Sequence, residues 1–211
     1  MNPEFEKSGY ALVKGFLPRE VADLANDYVR MRIGLGLGKL PLGELGARGE
    51  YGDHFMETIL QRVCPTMEEI TGTSLWPTYA YYRLYRTGME LKKHIDRPAC
   101  EYSVSVCLGR THEDDWPLFV NGKALSCYPG DGVVYKGCEV EHWREPLPRG
   151  EQIQVFLHYV DKAGIWGDVC RFDTRPSLGF PAGSRKLRAD DLKKLEGLKR
   201  SQHLKSDTKT S

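Results

Sequence analysis

The sequence predicts a mainly β domain flanked by α-helices, and three observations carry that reading. Twenty-two Gly and 12 Pro cut the 211 residues into short segments. Between residues 76 and 159, apolar and aromatic runs are separated by Gly, Pro, Asp and Asn, while residues 19–32 and 53–72 repeat their apolar side chains at helical spacing. Frequent turns suit short strands better than a helical bundle, and apolar residues three and four apart line one face of a helix. A chain of this length supports one core. We expect a single domain over residues 1–183 and a basic tail, helical or disordered, over residues 184–211.

In order along the chain, residues 10–16 (YALVKGF) read as a strand. Pro18 suits a helix start, where its missing N–H has no bond to lose. The helix follows at about 19–32, with Val21, Leu24, Ala25, Tyr28 and Val29 on its buried face. Residues 34–49 are Gly-rich but lack the G-x-x-x-x-G-K-[ST] order and follow a helix, where phosphate-binding loops follow a strand. A flap or lid is the expectation there. In the second helical region Pro65 restarts the helix and Gly72 ends it.

The β block follows. Tyr79, Tyr81, Arg83 and Tyr85 alternate with Ala80, Tyr82, Leu84 and Arg86; Ser103, Ser105 and Cys107 alternate with Val104, Val106 and Leu108. Gln152, Gln154, Phe156 and His158 alternate likewise with Ile153, Val155, Leu157 and Tyr159. A polar face opposite an apolar one suits either a ligand pocket or solvent. We take the polar faces to point inward, with His158 as a hydrogen-bonded wall residue and His54 and His112 solvated. Residues 166–181 read as an irregular wrap.

Net charge is +1, yet residues 184–211 hold nine Lys/Arg against four Asp/Glu, which leaves the rest of the chain at −4. That body argues against nucleic acid as a partner. The six cysteines, Cys64, Cys100, Cys107, Cys127, Cys138 and Cys170, form no C-x-x-C pair, so neither a zinc ribbon nor a disulfide framework is expected. MNPEFEKSGY is unlike a signal peptide and no run approaches 18 apolar residues, so the expectation is a soluble, cytoplasmic protein without a membrane partner.

The chemistry concentrates at three residues. His94 and Asp96 stand two apart, so on extended backbone an imidazole and a carboxylate share one face. His142 follows 48 residues later in EVEHWRE, after a turn and strand at GDGVVY. Two histidines and one carboxylate are the ligand set of a facial triad, which leaves open positions on Fe(II).

The run Tyr85-x-x-Gly88-x-x-Leu91-x-x-His94-x-Asp96, followed by Pro129-Gly130-Asp131 and His142, resembles the 2-oxoglutarate/Fe(II) dioxygenases, in particular their prolyl-4-hydroxylase-like branch. The resemblance covers residues 76–160, and GYALVKGFLPREVADL is similar to the opening strand and helix of many members. It implies a double-stranded β-helix, a jelly roll with N-terminal helices packed on one sheet. It also implies an oxygenase that uses Fe(II), 2-oxoglutarate and O2, with ascorbate as an optional accessory, to hydroxylate or otherwise oxidise a C–H bond. His94, Asp96 and His142 would be the metal ligands.

One position departs from the family. The basic residue that pairs with the far carboxylate of 2-oxoglutarate usually stands about ten residues after the distal histidine, and here that residue is Gln152. A glutamine cannot form a charge-assisted bidentate pair. The cosubstrate-binding candidates are therefore Tyr85, Arg83, Arg144 and Gln152, with Arg83 ranked first among the cations, Arg144 second, and Arg149 and Arg110 behind. Arg97 and Arg144 would either set two cations at the mouth, favouring an anionic or amino-acid-like small molecule, or serve as rim salt-bridge partners. Two alternatives stand beside the oxygenase: a metal enzyme on the same barrel that dispenses with 2-oxoglutarate, which Gln152 favours, and a non-catalytic jelly-roll binding module.

Overall fold

The computed structural model describes residues 1–38 and 48–184, together with Lys193 and Gly197. The basic tail after Ser184 and most of the expected lid fall outside the described residues. Helix α1 (Pro3–Ser8) is capped by the Asn2 side chain, which accepts from the Glu4 and Phe5 N–H groups, and Gly9 closes it at φ 75°. Strand β1 spans Tyr10–Val13, shorter than the expected 10–16 because the chain turns at Gly15, φ 61°. Helices α2 (Arg19–Gly34), α3 (His54–Arg62) and α4 (Cys64–Thr71) flank β2 (Arg48–Tyr51). Pro65 stands in the first turn of α4 and Gly72 ends it at φ 70°, as the sequence suggested.

The remaining strands are β3 (Leu75–Arg86), β4 (Leu91–His94), β5 (Tyr102–Arg110), β6 (Leu118–Val120), β7 (Lys123–Leu125), β8 (Gly132–Tyr135), β9 (His142–Arg144) and β10 (Glu151–Asp161). They build two antiparallel sheets, one in the order β1-β8-β5-β10-β3-β2 and one in the order β4-β9-β6-β7. Helix α5 (Gly167–Cys170) and a 3-10 turn at Arg171–Thr174 follow as the irregular wrap. No helix among the described residues is long and apolar enough to cross a membrane.

The large sheet has no solvated face at its centre. One side carries Ala80, Leu84, Val104, Val106, Ile153, Val155 and Leu157, which pack with Val29 of α2, Met56 and Leu60 of α3, and Met67 of α4. Each of the Val, Leu, Ile and Met side chains contributes about 1.5–3 kcal/mol by leaving water. The other side carries Ser103, Ser105, Gln152, Gln154 and His158, all buried, so the polar faces do point inward and the solvated alternative fails.

Helix α2 corrects one expectation. Its buried face runs through Ala22, Ala25 and Val29, while Leu24 is 60% exposed. The small side chains let the helix approach β5 closely, where a side chain at Gly109 would collide with Asn26. Packing by contact distance, which apolar periodicity does not report, fixed its rotation. His112 is a second correction: it is 5% exposed, with Nδ1 3.1 Å from the Asp114 carbonyl, where a solvated ring was expected.

The C-terminal wrap is fastened by Arg175. Its guanidinium donates to Glu57 Oε1 at 2.5 Å and to the carbonyls of Thr78, Phe172 and Phe180, and the two charged side chains are 0% and 2% exposed. Removing one partner strands the other charge in a dry interior. Arg175→Ala should lower unfolding stability by about 3–5 kcal/mol, read as a shift of the urea midpoint at unchanged slope. A loss below about 1 kcal/mol would mean that the Gly179 N–H, which donates to Glu57 Oε2 at 2.5 Å, satisfies the carboxylate alone.

Candidate metal centre

Antiparallel pairing of β4 with β9 sets His94 directly opposite His142, and the two ring centroids lie 4.3 Å apart. Asp96 follows β4 by two residues and is fixed by its own N–H, which donates to the Gly137 carbonyl at 2.8 Å. A side chain at Gly137 would collide with Asp96 Oδ2 and the Cys100 carbonyl, so the approach requires glycine. The three residues each offer one ligand atom within 4.8 Å of the others. His94 Nε2 and His142 Nε2 stand 3.5 and 3.6 Å from Asp96 Oδ1.

Both rings are oriented by the same local device. His94 Nδ1 lies 2.7 Å from the Lys92 carbonyl, and His142 Nδ1 lies 3.1 Å from the Val140 carbonyl, in each case two residues back. A carbonyl only accepts, so Nδ1 carries the proton and Nε2 presents a lone pair. The carboxylate is oriented as well. The Ser103 hydroxyl is 3.3 Å from Asp96 Oδ2, 3.2 Å from the Cys100 carbonyl and 2.8 Å from His158 Nδ1; with His158 donating to it, its one proton is shared between the carboxylate and the carbonyl. Oδ1 is thereby left for the two imidazoles. Such outer partners hold metal-binding side chains in place, and the residues fit a divalent metal.

Burial pushes the Asp96 carboxyl up, but the His142 and His94 rings, which can donate from Nε2 once they are protonated, outweigh it and hold the group well below the usual carboxylate range. Asp96 in turn raises the His94 pKa. Burial lowers His158 to about 4, so its ring is neutral and does not add a charge beside Asp96.

These residues line a cavity of about 140 Å³. Its wall includes Tyr79, Tyr81, Arg83 and Tyr85 from β3 and Phe156 from β10, with Tyr81 stacked on Phe156 at 5.8 Å. The Arg83 guanidinium sits 4.5 Å from the Tyr85 ring centroid. Gln152 is buried beside Tyr85 in the strand register. Arg144 is 1% exposed, which corrects the expectation of a cation at the mouth. Arg97 follows the other expectation, a rim salt-bridge partner, with both terminal nitrogens on Asp173 at 2.6 and 2.9 Å. Arg110 and Arg149 lie instead around Asp114, whose backbone carbonyl accepts from the first and whose carboxylate pairs with the second.

Sequence reasoning missed Tyr135 and Trp116. Tyr135 packs its ring 4.6 Å from that of His142, and Trp116 lies 5.0 Å from Tyr85 and 4.8 Å from the Arg144 guanidinium. Tyr135 ends GVVY on the inward parity of β8, a signal that was present. Trp116 sits between strands, where no periodicity marks it.

No family model matches the chain, and no curated protein matches it. Solved structures do. A prolyl-4-hydroxylase from Pseudomonas putida is 17% identical with a TM-score of 0.62, over 75% of this chain and 95% of that one. The alpha-ketoglutarate-dependent epimerase SnoN from nogalamycin biosynthesis is 13% identical with a TM-score of 0.63, over 74% and 79%. An oxidoreductase of the 2OG-Fe(II) oxygenase family from Burkholderia pseudomallei is 18% identical with a TM-score of 0.57, over 74% and 86%. At these identities the likeness is one of fold.

The two carbonyl contacts make a prediction about the metal-free protein. At pH about 9, above the histidine range, nitrogen NMR should show both His94 and His142 as the Nδ1–H tautomer. An Nε2–H tautomer on either ring would remove the lone pair that this arrangement presents.

Proposed function

We propose that the chain, which has the fold of the 2-oxoglutarate/Fe(II) oxygenases, is itself such an enzyme, oxidising a C–H bond of a small-molecule or amino-acid-like substrate. The observation that carries this is the grouping of His94 Nε2, Asp96 Oδ1 and His142 Nε2, with every other polar atom of those side chains tied to the protein. Three protein ligands on one side leave positions free on the other. We read the two sheets as the halves of a double-stranded β-helix, and residues 1–183 as its single domain with the basic tail appended.

Bound Fe(II), together with 2-oxoglutarate and O2, would supply the oxidising chemistry. The chain's own residues would do the rest. His94, Asp96 and His142 would hold the metal, and the Ser103–His158 pair would keep Asp96 from rotating. Tyr79, Tyr81 and Phe156 would keep bulk water from the reacting side, where competing reactions start. Tyr85 and the cations near it would meet the cosubstrate. The cavity is small, so a substrate would present only its reacting group to it. Six cysteines with no C-x-x-C pair among them favour a reducing compartment such as the cytoplasm.

Similar folds include a prolyl-4-hydroxylase and an epimerase, so hydroxylation is one outcome among those the scaffold supports. A second reading, a metal enzyme that does not use 2-oxoglutarate, is favoured by Gln152 at the position where a basic residue is usual. Ascorbate would act only as an accessory.

The protein should bind one Fe(II) per chain in anaerobic calorimetry, and His94→Ala, Asp96→Ala and His142→Ala should each weaken binding by more than about a hundredfold. Undiminished affinity in all three variants would remove the triad. Adding 2-oxoglutarate to the Fe(II) protein without oxygen should produce a weak visible charge-transfer band. Metal binding without that band, together with oxygen consumption on some other substrate, would favour the second reading.

A further inference from the structure

Arg144 is a buried cation that pairs with no carboxylate among the described residues. It stands on β9 two residues after His142, on the same face of the strand and roughly 7 Å further along it. It is 1% exposed and among the described residues makes no ion pair. Its contacts are the Trp116 carbonyl at 2.9 Å, the Trp116 ring at 4.8 Å and the Ser105 hydroxyl at 3.5 Å, and Nε has no hydrogen-bond partner among the described residues. A buried guanidinium without an anion is costly, because the water it gave up is not replaced.

The same region holds two more spare donors. Gln152 and Gln154 are 1% and 0% exposed, and neither Nε2 has a partner among the described residues. Gln154 Oε1 already accepts from the Ser105 hydroxyl at 3.3 Å, the hydroxyl that Arg144 also approaches. Ser105 therefore links the cation on one sheet to the amide on the other. What this region offers is N–H donors and one positive charge, and a carboxylate is an acceptor-only group that satisfies both.

We propose that Arg144, assisted by the Gln152 and Gln154 amides, forms a closed cradle for the far carboxylate of a five-carbon 2-oxo dicarboxylic acid whose keto end lies at His142. This deepens the function proposed above and rests on it. The charge that the family resemblance would put at the position of Gln152 comes here from the facing sheet. Arg144 is thereby ranked ahead of Arg83, since it is the more deeply buried of the two, at 1% against 8% exposed, and the spare Gln154 amide shares the Ser105 hydroxyl with it.

Calorimetry on the protein loaded with Mn(II), a redox-silent stand-in, tests this with 2-oxoglutarate and with pyruvate, a 2-oxo acid that lacks the far carboxylate. Wild type should prefer 2-oxoglutarate by about a hundredfold or more, and Arg144→Met should erase that preference while leaving pyruvate binding as it was. Arg83→Ala should cost less than about tenfold. Arg144→Met that binds 2-oxoglutarate like wild type, or Arg83→Ala that loses more than Arg144→Met, overturns the assignment.

Should Arg144→Met fail to fold, Gln154→Glu gives an independent reading, because it supplies the missing anion from within. It should raise the melting temperature of the ligand-free protein and suppress 2-oxoglutarate binding. A lowered melting temperature with unchanged 2-oxoglutarate affinity overturns the cradle. Wild type that binds Mn(II) but neither 2-oxo acid would instead overturn the oxygenase reading itself.

Discussion

The molecule depends on three neighbouring strands, β5, β10 and β3, being buried on both faces. Strict alternation lets each strand serve two environments at once. One set of side chains is apolar and is sealed by α2, α3 and α4, and the other is polar and is sealed by the smaller sheet. A one-residue slip anywhere in this pairing would exchange the two sets and place Ser103, Gln154 and His158 under the helices. The helices thus protect the register of the site as well as the core.

Given that register, the site needs few further devices. Cross-strand pairing brings the histidines together, carbonyls two residues back choose their tautomer, and one serine turns the carboxylate. Each is a short-range contact whose geometry follows from backbone already fixed for another reason. The wrap adds a long-range restraint. Asp173, held in left-handed backbone at φ 52°, grips Arg97, the residue after Asp96, and also meets the Tyr51 hydroxyl. Left-handed backbone at a side-chain-bearing residue persists only where such contacts over-determine it.

Much of this was legible in the sequence. The spacing of His94 and Asp96, the three alternating strands and the breaks at Gly72 and Pro65 all report local geometry, and local geometry is what sequence periods encode. The misses have one physical source. Leu24 looks like a core residue, but the rotation of α2 was set by how closely Ala22 and Ala25 let it approach β5. Strand β2 reads RGEY, a charged edge segment with no apolar period, and its strand character comes from pairing with β3. The HWRE run gives no sign that Arg144 is buried, because its cover, Trp116 and Ser105, comes from residues 28 and 39 positions away.

The place of β10 in the sheet also sets the order in which the molecule can be made. It is the last strand among the described residues, yet it lies between β5 and β3 and pairs with both along most of its length. On the ribosome all three candidate metal-binding side chains exist before residues 151–161 have emerged, but the two strands that flank the gap then present bare edges to one another and to any neighbour. A nascent chain at that stage is a sheet with its middle missing, open to pairing with the wrong strand. Closing the gap joins segments far apart in sequence, a slow kind of step, and a chaperone that shields β3 during synthesis would have its greatest effect there.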